Sequence, residues 1–183
     1  MPPLPGAREE GALVAKRLAP GDARLLVGAE ARESTFKRAA ADRRVLHLAT
    51  HGVISPDRPL ASSLLLSPGD GEDGYLRVDE IFSLPLTADL VVLSGCSTGV
   101  GKPSGDGIIG LGRAFIYAGT PVVVVSQWDV NDRATAFLMD RFYASLREGR
   151  GPAAALRVAQ LATRAQYPNP YLWAAFVAIG EPK

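Results

Sequence analysis

A chain of 183 residues with 47% hydrophobic and 21% charged residues has the composition of a single globular domain, large enough to bury a core without metal or disulfide cross-links. The formal net charge of +1 argues against nucleic acid or an anionic membrane as a partner, and no apolar run reaches the roughly 20 residues of a membrane span. One cysteine excludes an internal disulfide and, with no signal-peptide pattern at the N-terminus, predicts a cytoplasmic location.

Short apolar runs alternate along the chain with segments of helical character. Residues 1–20, which carry three prolines in the first five positions, predict a linker or irregular edge segment, and residues 21–183 predict one domain. Within that domain the pattern predicts strands at 25–27, 44–49, 90–94, 121–126 and 174–180, and helices at 33–41, 107–119, 132–147 and 153–166. This alternation indicates an α/β fold with a mostly parallel sheet and helices on both faces.

Three chemically interesting segments follow predicted strands. His51 comes after the second strand, Cys96 after the third, and residues 127–132 (QWDVND) after the fourth. Working residues of parallel sheets gather beyond the carboxyl ends of the strands, so we expect these three segments at one edge. Asp132 is also a plausible N-cap of the helix that follows.

A thiol beside a histidine is a nucleophile with its base, and this pairing predicts acyl transfer. Cys96 would attack a carbonyl carbon, and His51, 45 residues earlier, would protonate the leaving amine. The backbone N–H groups of Gly52 and Cys96 would stabilise the oxyanion.

Simpler interpretations remain open for several of these residues. A lone cysteine such as Cys96 is often a packing residue, and His47, inside its strand, reads as structural. The acidic segment 69–73 is most simply a solvated turn without calcium-loop spacing, and no metal site is evident. The glycines of 107–112 match a dinucleotide loop poorly, so no cofactor is expected.

Five segments carry a resemblance that covers most of the chain: LHLATHG (46–52), DLVVLSGCSTGVG (89–101), the long run 105–149, ALRVAQ (155–160) and YLWAAFVAIG (171–180). They resemble the CHAT domain, which is the caspase-related domain of bacterial proteins often joined to tetratricopeptide repeats. The resemblance implies a caspase-like three-layer fold, clan CD cysteine peptidase chemistry and a His/Cys dyad, by position His51 and Cys96.

The segment 127–132 also resembles the corresponding part of separase, a clan CD peptidase that cleaves after arginine. The resemblance implies that Asp129 or Asp132 lines an S1 pocket for a basic P1 side chain, with Ser126 and Trp128 beside it in the substrate-binding region. A carboxylate facing a guanidinium is a sensible selector.

The chain also departs from the family. We expect the first strand that CHAT proteins usually carry upstream to be missing, which would leave a sheet edge exposed and open to self-association or to a partner strand. Ser97 replaces a common acidic residue after the cysteine. Three functional hypotheses follow. The first is a cysteine endopeptidase that acts on a protein substrate and is regulated by tetratricopeptide repeats or other partners. The second is a catalytically inactive interaction or scaffold module, and the third, which depends on the glycine pattern alone, is a nucleotide-binding protein.

Overall fold

The computed structural model describes residues 4–18, 22–55, 57–95 and 105–181. Short 3-10 turns lie at Gly28–Glu30 and Pro59–Ala61. The helices and strands in chain order are α1 (Pro5–Leu18), α2 (Glu33–Ala40), β1 (Val45–Ala49), β2 (Gly52–Val53), β3 (Ser63–Leu65), β4 (Tyr75–Arg77), α3 (Val78–Phe82), β5 (Leu90–Ser94), α4 (Gly105–Tyr117), β6 (Val122–Ser126), α5 (Asp132–Arg147), α6 (Pro152–Gln166), α7 (Pro170–Trp173) and β7 (Phe176–Gly180).

The main sheet has four strands in the order β1–β5–β6–β7. The first three are parallel to one another, and β7 pairs antiparallel with β6. Every residue of β5 and β6 is buried, as expected for central strands that are covered on both faces and built from continuous apolar runs. The predicted α/β fold with a mostly parallel sheet is confirmed.

Side chains of the central strands alternate between two apolar layers. Val91, Leu93 and Val123 pack in one layer with residues of α2, α3 and α4, whereas Val92 and Val124 pack in the other with residues of α1, α5 and α6. This alternation follows from the two-residue period of a strand. The result is three layers, with the sheet between two sets of helices, consistent with the caspase-like architecture.

A second, antiparallel sheet of three short strands, β2–β3–β4, begins directly after β1. Gly52 pairs with Leu64, and Val53 pairs with Ser63. This sheet holds the chain that leaves the carboxyl end of β1, and it therefore positions the segment around residue 51.

The segment expected to be a linker contains a helix. Residues 5–18 form α1, whose Val14 is 5% exposed in the layer shared with α5 and α6, and Arg17 Nε lies 2.5 Å from Asp140 Oδ1. The expected strand at 25–27 does not form either. Leu25 is instead against Gly11 of α1, where an added Cβ would come within 2.8 Å of its side chain.

The strand β1 forms one edge of the main sheet. In a parallel pair, alternate residues direct their N–H and C=O groups to the partner strand. The Thr50 N–H donates to Ser94 and the Arg44 carbonyl accepts from Asp89, so the even-numbered residues face β5. The odd-numbered residues of β1, from 45 to 49, direct their backbone groups outward, and within the described part of the chain these groups have no backbone partner.

None of the helices in the described ranges is both long enough and apolar enough to cross a membrane.

Candidate active site

The two strands that precede His51 and Cys96 are neighbours in register. Ala49, the last residue of β1, pairs with Ser94, the last residue of β5. The pairing extends one residue further, because the Thr50 N–H donates to the Ser94 carbonyl at 3.1 Å. His51 and Cys96 therefore each follow the paired strand ends by two residues. Cys96 itself lies outside the described residues.

Gly95 carries β5 past its last paired residue. Its φ of +80° is a conformation that glycine adopts without strain, and it lets the chain turn where the strand ends. A Cβ built on Gly95 would come within 3.9 Å of the backbone of Thr50. The residue before Cys96 thus lies against the residue before His51.

The backbone of His51 is held by the small sheet. Its carbonyl accepts a hydrogen bond of 2.9 Å from the Leu65 N–H, and the neighbouring Thr50 hydroxyl donates to the Leu65 carbonyl. His51 as a whole is 8% exposed. The position of the imidazole is therefore set by a fixed backbone rather than by a free loop.

Gly52 has a backbone N–H that points away from the small sheet. In an antiparallel ladder, hydrogen-bonded residue pairs alternate with pairs that exchange no backbone hydrogen bonds. The bond from Leu65 to His51 makes their pair the hydrogen-bonded kind, so the next pair, Gly52 with Leu64, is the other kind. The Gly52 N–H consequently faces the side opposite β3.

The chain after β6 supplies two exposed aspartates. Asp129 lies between β6 and α5, and Asp132 is the first residue of α5. The N-cap of α5 is Asn131, whose side-chain oxygen accepts from the Ala134 N–H at 3.2 Å, and not Asp132 as expected. The shift has a physical reason: Asn131 has the extended backbone of a cap, whereas Asp132 is already the first helical residue. Asp132 is therefore not occupied by capping.

Asp129, Asp132 and Gly95 line one pocket, which has a volume of about 150 Å³. The lining also includes Leu4, just before α1, and Ala7 and Glu10 of α1. The first turn of α1 is tight against α5, because any side chain larger than hydrogen at Gly6 would collide with Asp132. The pocket thus lies at the carboxyl edge of the sheet, beside the end of β5.

Two other residues expected near the substrate do not line this pocket. Ser126 ends β6 and is completely buried. Trp128 donates its indole N–H to the Tyr171 carbonyl at 3.0 Å, and the two rings stack with centroids 6.0 Å apart. The Trp128 indole therefore fixes the loop after β6 against α7.

Next to the pocket, three buried polar side chains from β1, α5 and α1 contact one another. His47 of β1 shares a hydrogen bond of 2.9 Å with the Tyr143 hydroxyl of α5, and its Nε2 lies 3.0 Å from Glu10 Oε1 of α1. Burial and the nearby charge of Glu10 raise the pKa of Tyr143 well above its ordinary value. His47 is structural, as its position within the strand indicated.

Sequence reasoning missed Glu10 and the whole α1 wall of the pocket. The prolines at the start of the chain favoured irregular structure, although Pro5 is the first residue of α1, where proline suits a helix. Lys16 and Arg17 in the last turn are a further helix signal that could have revealed α1.

The acidic segment 69–73 is not simply solvated. Lys37 Nζ of α2 lies 3.0 Å from Glu72, 2.7 Å from Glu80 of α3 and 2.7 Å from Glu33, which is completely buried. Asp70 accepts a hydrogen bond of 2.9 Å from the Ser34 hydroxyl. The three glutamates gather within metal-binding distance of one another, but the lysine ammonium lies among them and supplies the positive charge.

Comparison with known proteins finds one family and two curated relatives. The family model of the CHAT domain matches residues 1–181. Tetratricopeptide repeat protein 28 of Homo sapiens is 29% identical over 213 residues, and the protein of the same name of Mus musculus is 28% identical over 213 residues. The alignments cover 97% of this chain but only 8% and 9% of the relatives, so the chain spans less than a tenth of their length.

Proposed function

The chain belongs to the CHAT domain family, which is caspase-like and peptidase-related, and we propose that it is a cysteine endopeptidase in which His51 and Cys96 form the catalytic dyad. The observation that carries this proposal is the register between β1 and β5. Their last residues, Ala49 and Ser94, are partners, and the histidine and the cysteine each follow by two residues. Equal offsets from paired strand ends favour a common position for imidazole and sulfur.

In the proposed reaction, Cys96 Sγ attacks the carbonyl carbon of the scissile peptide bond as the thiolate. His51 gives a proton to the leaving nitrogen as the C–N bond breaks, which leaves a thioester on Cys96. Water then attacks the thioester carbonyl and passes a proton to His51, and the C–S bond breaks to return the thiolate. A reducing, cytoplasmic location would keep the sulfur available for this chemistry.

The negative charge that develops on the carbonyl oxygen needs hydrogen-bond donors fixed in advance. The Gly52 N–H suits this role, because it points away from β3 and lies next to His51. The Cys96 N–H is the second proposed donor. A glycine at position 52 also lets the substrate backbone approach closely.

The pocket beside the end of β5 is the proposed S1 site. Asp129 and Asp132 line it, which favours a P1 arginine or lysine over a P1 aspartate. The substrate is then a protein with a basic residue before the cleaved bond.

The test of this function is covalent labelling. A peptide probe with a P1 arginine and a cysteine-reactive group should label the wild-type chain and leave Cys96→Ala unlabelled, and the same probe with P1 aspartate should label at least about tenfold more slowly. Circular dichroism of both proteins controls for folding. Equal labelling of wild type and variant, or no labelling of a folded wild type under any condition, would contradict the proposal.

The second candidate is a non-catalytic interaction module. It is favoured by the comparison with tetratricopeptide repeat protein 28, because the matched part is less than a tenth of a much longer protein that is named for its repeats. This candidate requires Cys96→Ala and His51→Ala to retain full biological function, whereas the peptidase proposal requires both to lose it. A regulatory tetratricopeptide repeat region is a proposed partner in either case.

The outer edge of β1, which pairs with no strand in the described ranges, is a proposed site of self-association by strand addition. We expect the mass measured by sedimentation velocity to rise toward a dimer with concentration. Val45→Pro removes an outward N–H at the first residue of the strand, where proline is tolerated, and should keep the chain monomeric. Val45→Ala, which loses similar packing but keeps the N–H, should still associate. A wild type that stays monomeric at every concentration would rule out this edge contact.

A further inference from the structure

We propose that Glu10, on α1, is a specificity-determining residue that binds the guanidinium of an arginine side chain inside the pocket, so that arginine is preferred to lysine as well as to neutral residues. The inference deepens the proposed function, since it assumes that this pocket is the S1 site. Equilibrium binding nevertheless tests it without any cleavage.

Burial distinguishes Glu10 from the two aspartates. Asp129 and Asp132 are exposed at the rim of the pocket, whereas Glu10 is 6% exposed and still lines it. A carboxylate buried this deeply is normally satisfied by hydrogen bonds or by an opposite charge. Because it is buried where the two aspartates are exposed, Glu10 is the inner acidic group of the pocket.

The Glu10 carboxylate has an oxygen that can still accept hydrogen bonds. Its Oε1 lies 3.0 Å from His47 Nε2, but neither atom completes a hydrogen bond with any described residue. His47 already shares its other ring nitrogen with Tyr143. A cation entering the pocket would supply the hydrogen bonds that Glu10 lacks.

The charge of the pocket selects a cation of a particular shape. Three carboxylates line it, and none of its described lining residues is a lysine or an arginine. A planar guanidinium has five donors and can bond the inner glutamate and a rim aspartate together, whereas a lysine ammonium is a single point charge. Arginine therefore fits this arrangement better than lysine.

Size and lining agree with one side chain as the ligand. The volume of about 150 Å³ is well below the roughly 300–1,000 Å³ of sites for drug-sized molecules. Leu4 before α1, Ala7 of α1 and Val130 before α5 provide apolar surface for the methylene stem.

The experiment measures binding of fluorescent peptides to the full chain with Cys96→Ala, by fluorescence polarisation. The peptides end in arginine, lysine or citrulline, the last of which has the shape of arginine without its charge. Arginine should bind best, lysine severalfold more weakly and citrulline at least about tenfold more weakly. Adding Glu10→Gln should weaken arginine binding about tenfold or more and leave citrulline binding unchanged.

Glu9→Gln is the matched control, because Glu9 is exposed on the same turn of α1 and does not line the pocket. It should bind like the parent protein. Equal affinity for arginine and citrulline, or full arginine affinity after Glu10→Gln, would overturn the inference.

A second measurement requires no change at Glu10. In Cys96→Ala protein carrying ¹³C-labelled glutamate, the Glu10 carboxyl resonance should shift when the arginine peptide is added and not when the citrulline peptide is added. An unshifted resonance with bound arginine peptide would also overturn the inference. If arginine binds through Glu10 while the wild type cleaves nothing, the inference stands and the peptidase proposal fails. If the wild type cleaves and Glu10→Gln leaves cleavage unchanged, the peptidase proposal stands and the inference fails.

Discussion

Replacing His51 with glutamine is expected to lower kcat/KM for a P1-arginine peptide by about 10³-fold, because glutamine can hydrogen-bond but cannot transfer a proton between the sulfur and the leaving nitrogen. The measurement is the initial rate of peptide cleavage over a range of substrate concentrations. The loss should fall on kcat rather than on KM, since His51 does not line the pocket proposed as the S1 site.

Two controls separate chemistry from folding in His51→Gln. The thermal unfolding midpoint should stay within a few degrees of the wild type. The double variant with Cys96→Ala should be no slower than Cys96→Ala alone, because members of one catalytic unit give non-additive losses. A fall of less than tenfold in kcat/KM would contradict the proposed role of His51 in a catalytic dyad.

Replacing Lys37 with methionine is expected to lower the free energy of unfolding at pH 7 by about 3 kcal/mol, because a buried charge is left without its partner. Glu33 is completely buried, and Lys37 is the ammonium that contacts it together with Glu72 and Glu80. The measurement is urea-induced unfolding. Lys16→Met is the matched control, since Lys16 is exposed, and it should change stability by less than about 0.5 kcal/mol.

The loss from Lys37→Met should shrink at lower pH. In the wild type, burial raises the pKa of Glu33 above its ordinary value of 4.5, whereas hydrogen bonds from Lys37 and from the Arg77 N–H outweigh burial and lower the pKa of Glu80. The raised pKa costs stability as pH rises through it, and the lowered pKa adds stability that is lost as pH falls. Without Lys37 the pKa values of Glu33 and Glu80 rise, because both carboxylates lose its hydrogen bond, so the variant should recover toward wild-type stability between pH 7 and pH 5. A deficit independent of pH would refute this account.

The parts of the fold that the sequence predicts best are those with strong apolar patterns. The run 121–126 and the stripe of 132–147 predict β6 and α5 almost to the residue. A central strand must be apolar on both faces, and a helix on a sheet must be apolar on one, so burial leaves a clear periodic record in the sequence.

The parts that it predicts poorly depend on contacts distant in sequence. Residues 25–27 are as apolar as a short strand, but Leu25 packs on Gly11 of α1 and does not join the sheet. The N-cap of α5 is one residue earlier than expected, because both Asn131 and Asp132 are good caps and only the backbone distinguishes them.

The residues of the candidate site also divide into those that the sequence predicts and those that it does not. The positions of His51 and Asp132 at the carboxyl edge follow from the alternation of strands and helices, which predicts parallel strands, whereas the pairing of β1 with β5 is known only from the structure. Glu10 does not, because a lone glutamate near the start of a chain carries no signal of the partner against which its helix will dock.

Helix α1 links ligand binding in the pocket to the local stability of the N-terminal part of the fold. Glu10 of α1 lines the pocket together with Asp132 of α5 and also contacts His47 in β1, so α1 cannot separate from α5 and β1 without opening the pocket. A ligand that occupies the pocket therefore binds only while α1 is docked on α5 and β1, and it must make local detachment of this helix rarer. Amide hydrogen exchange along residues 8–17 would then slow when the pocket is occupied, although most of those amides do not line it.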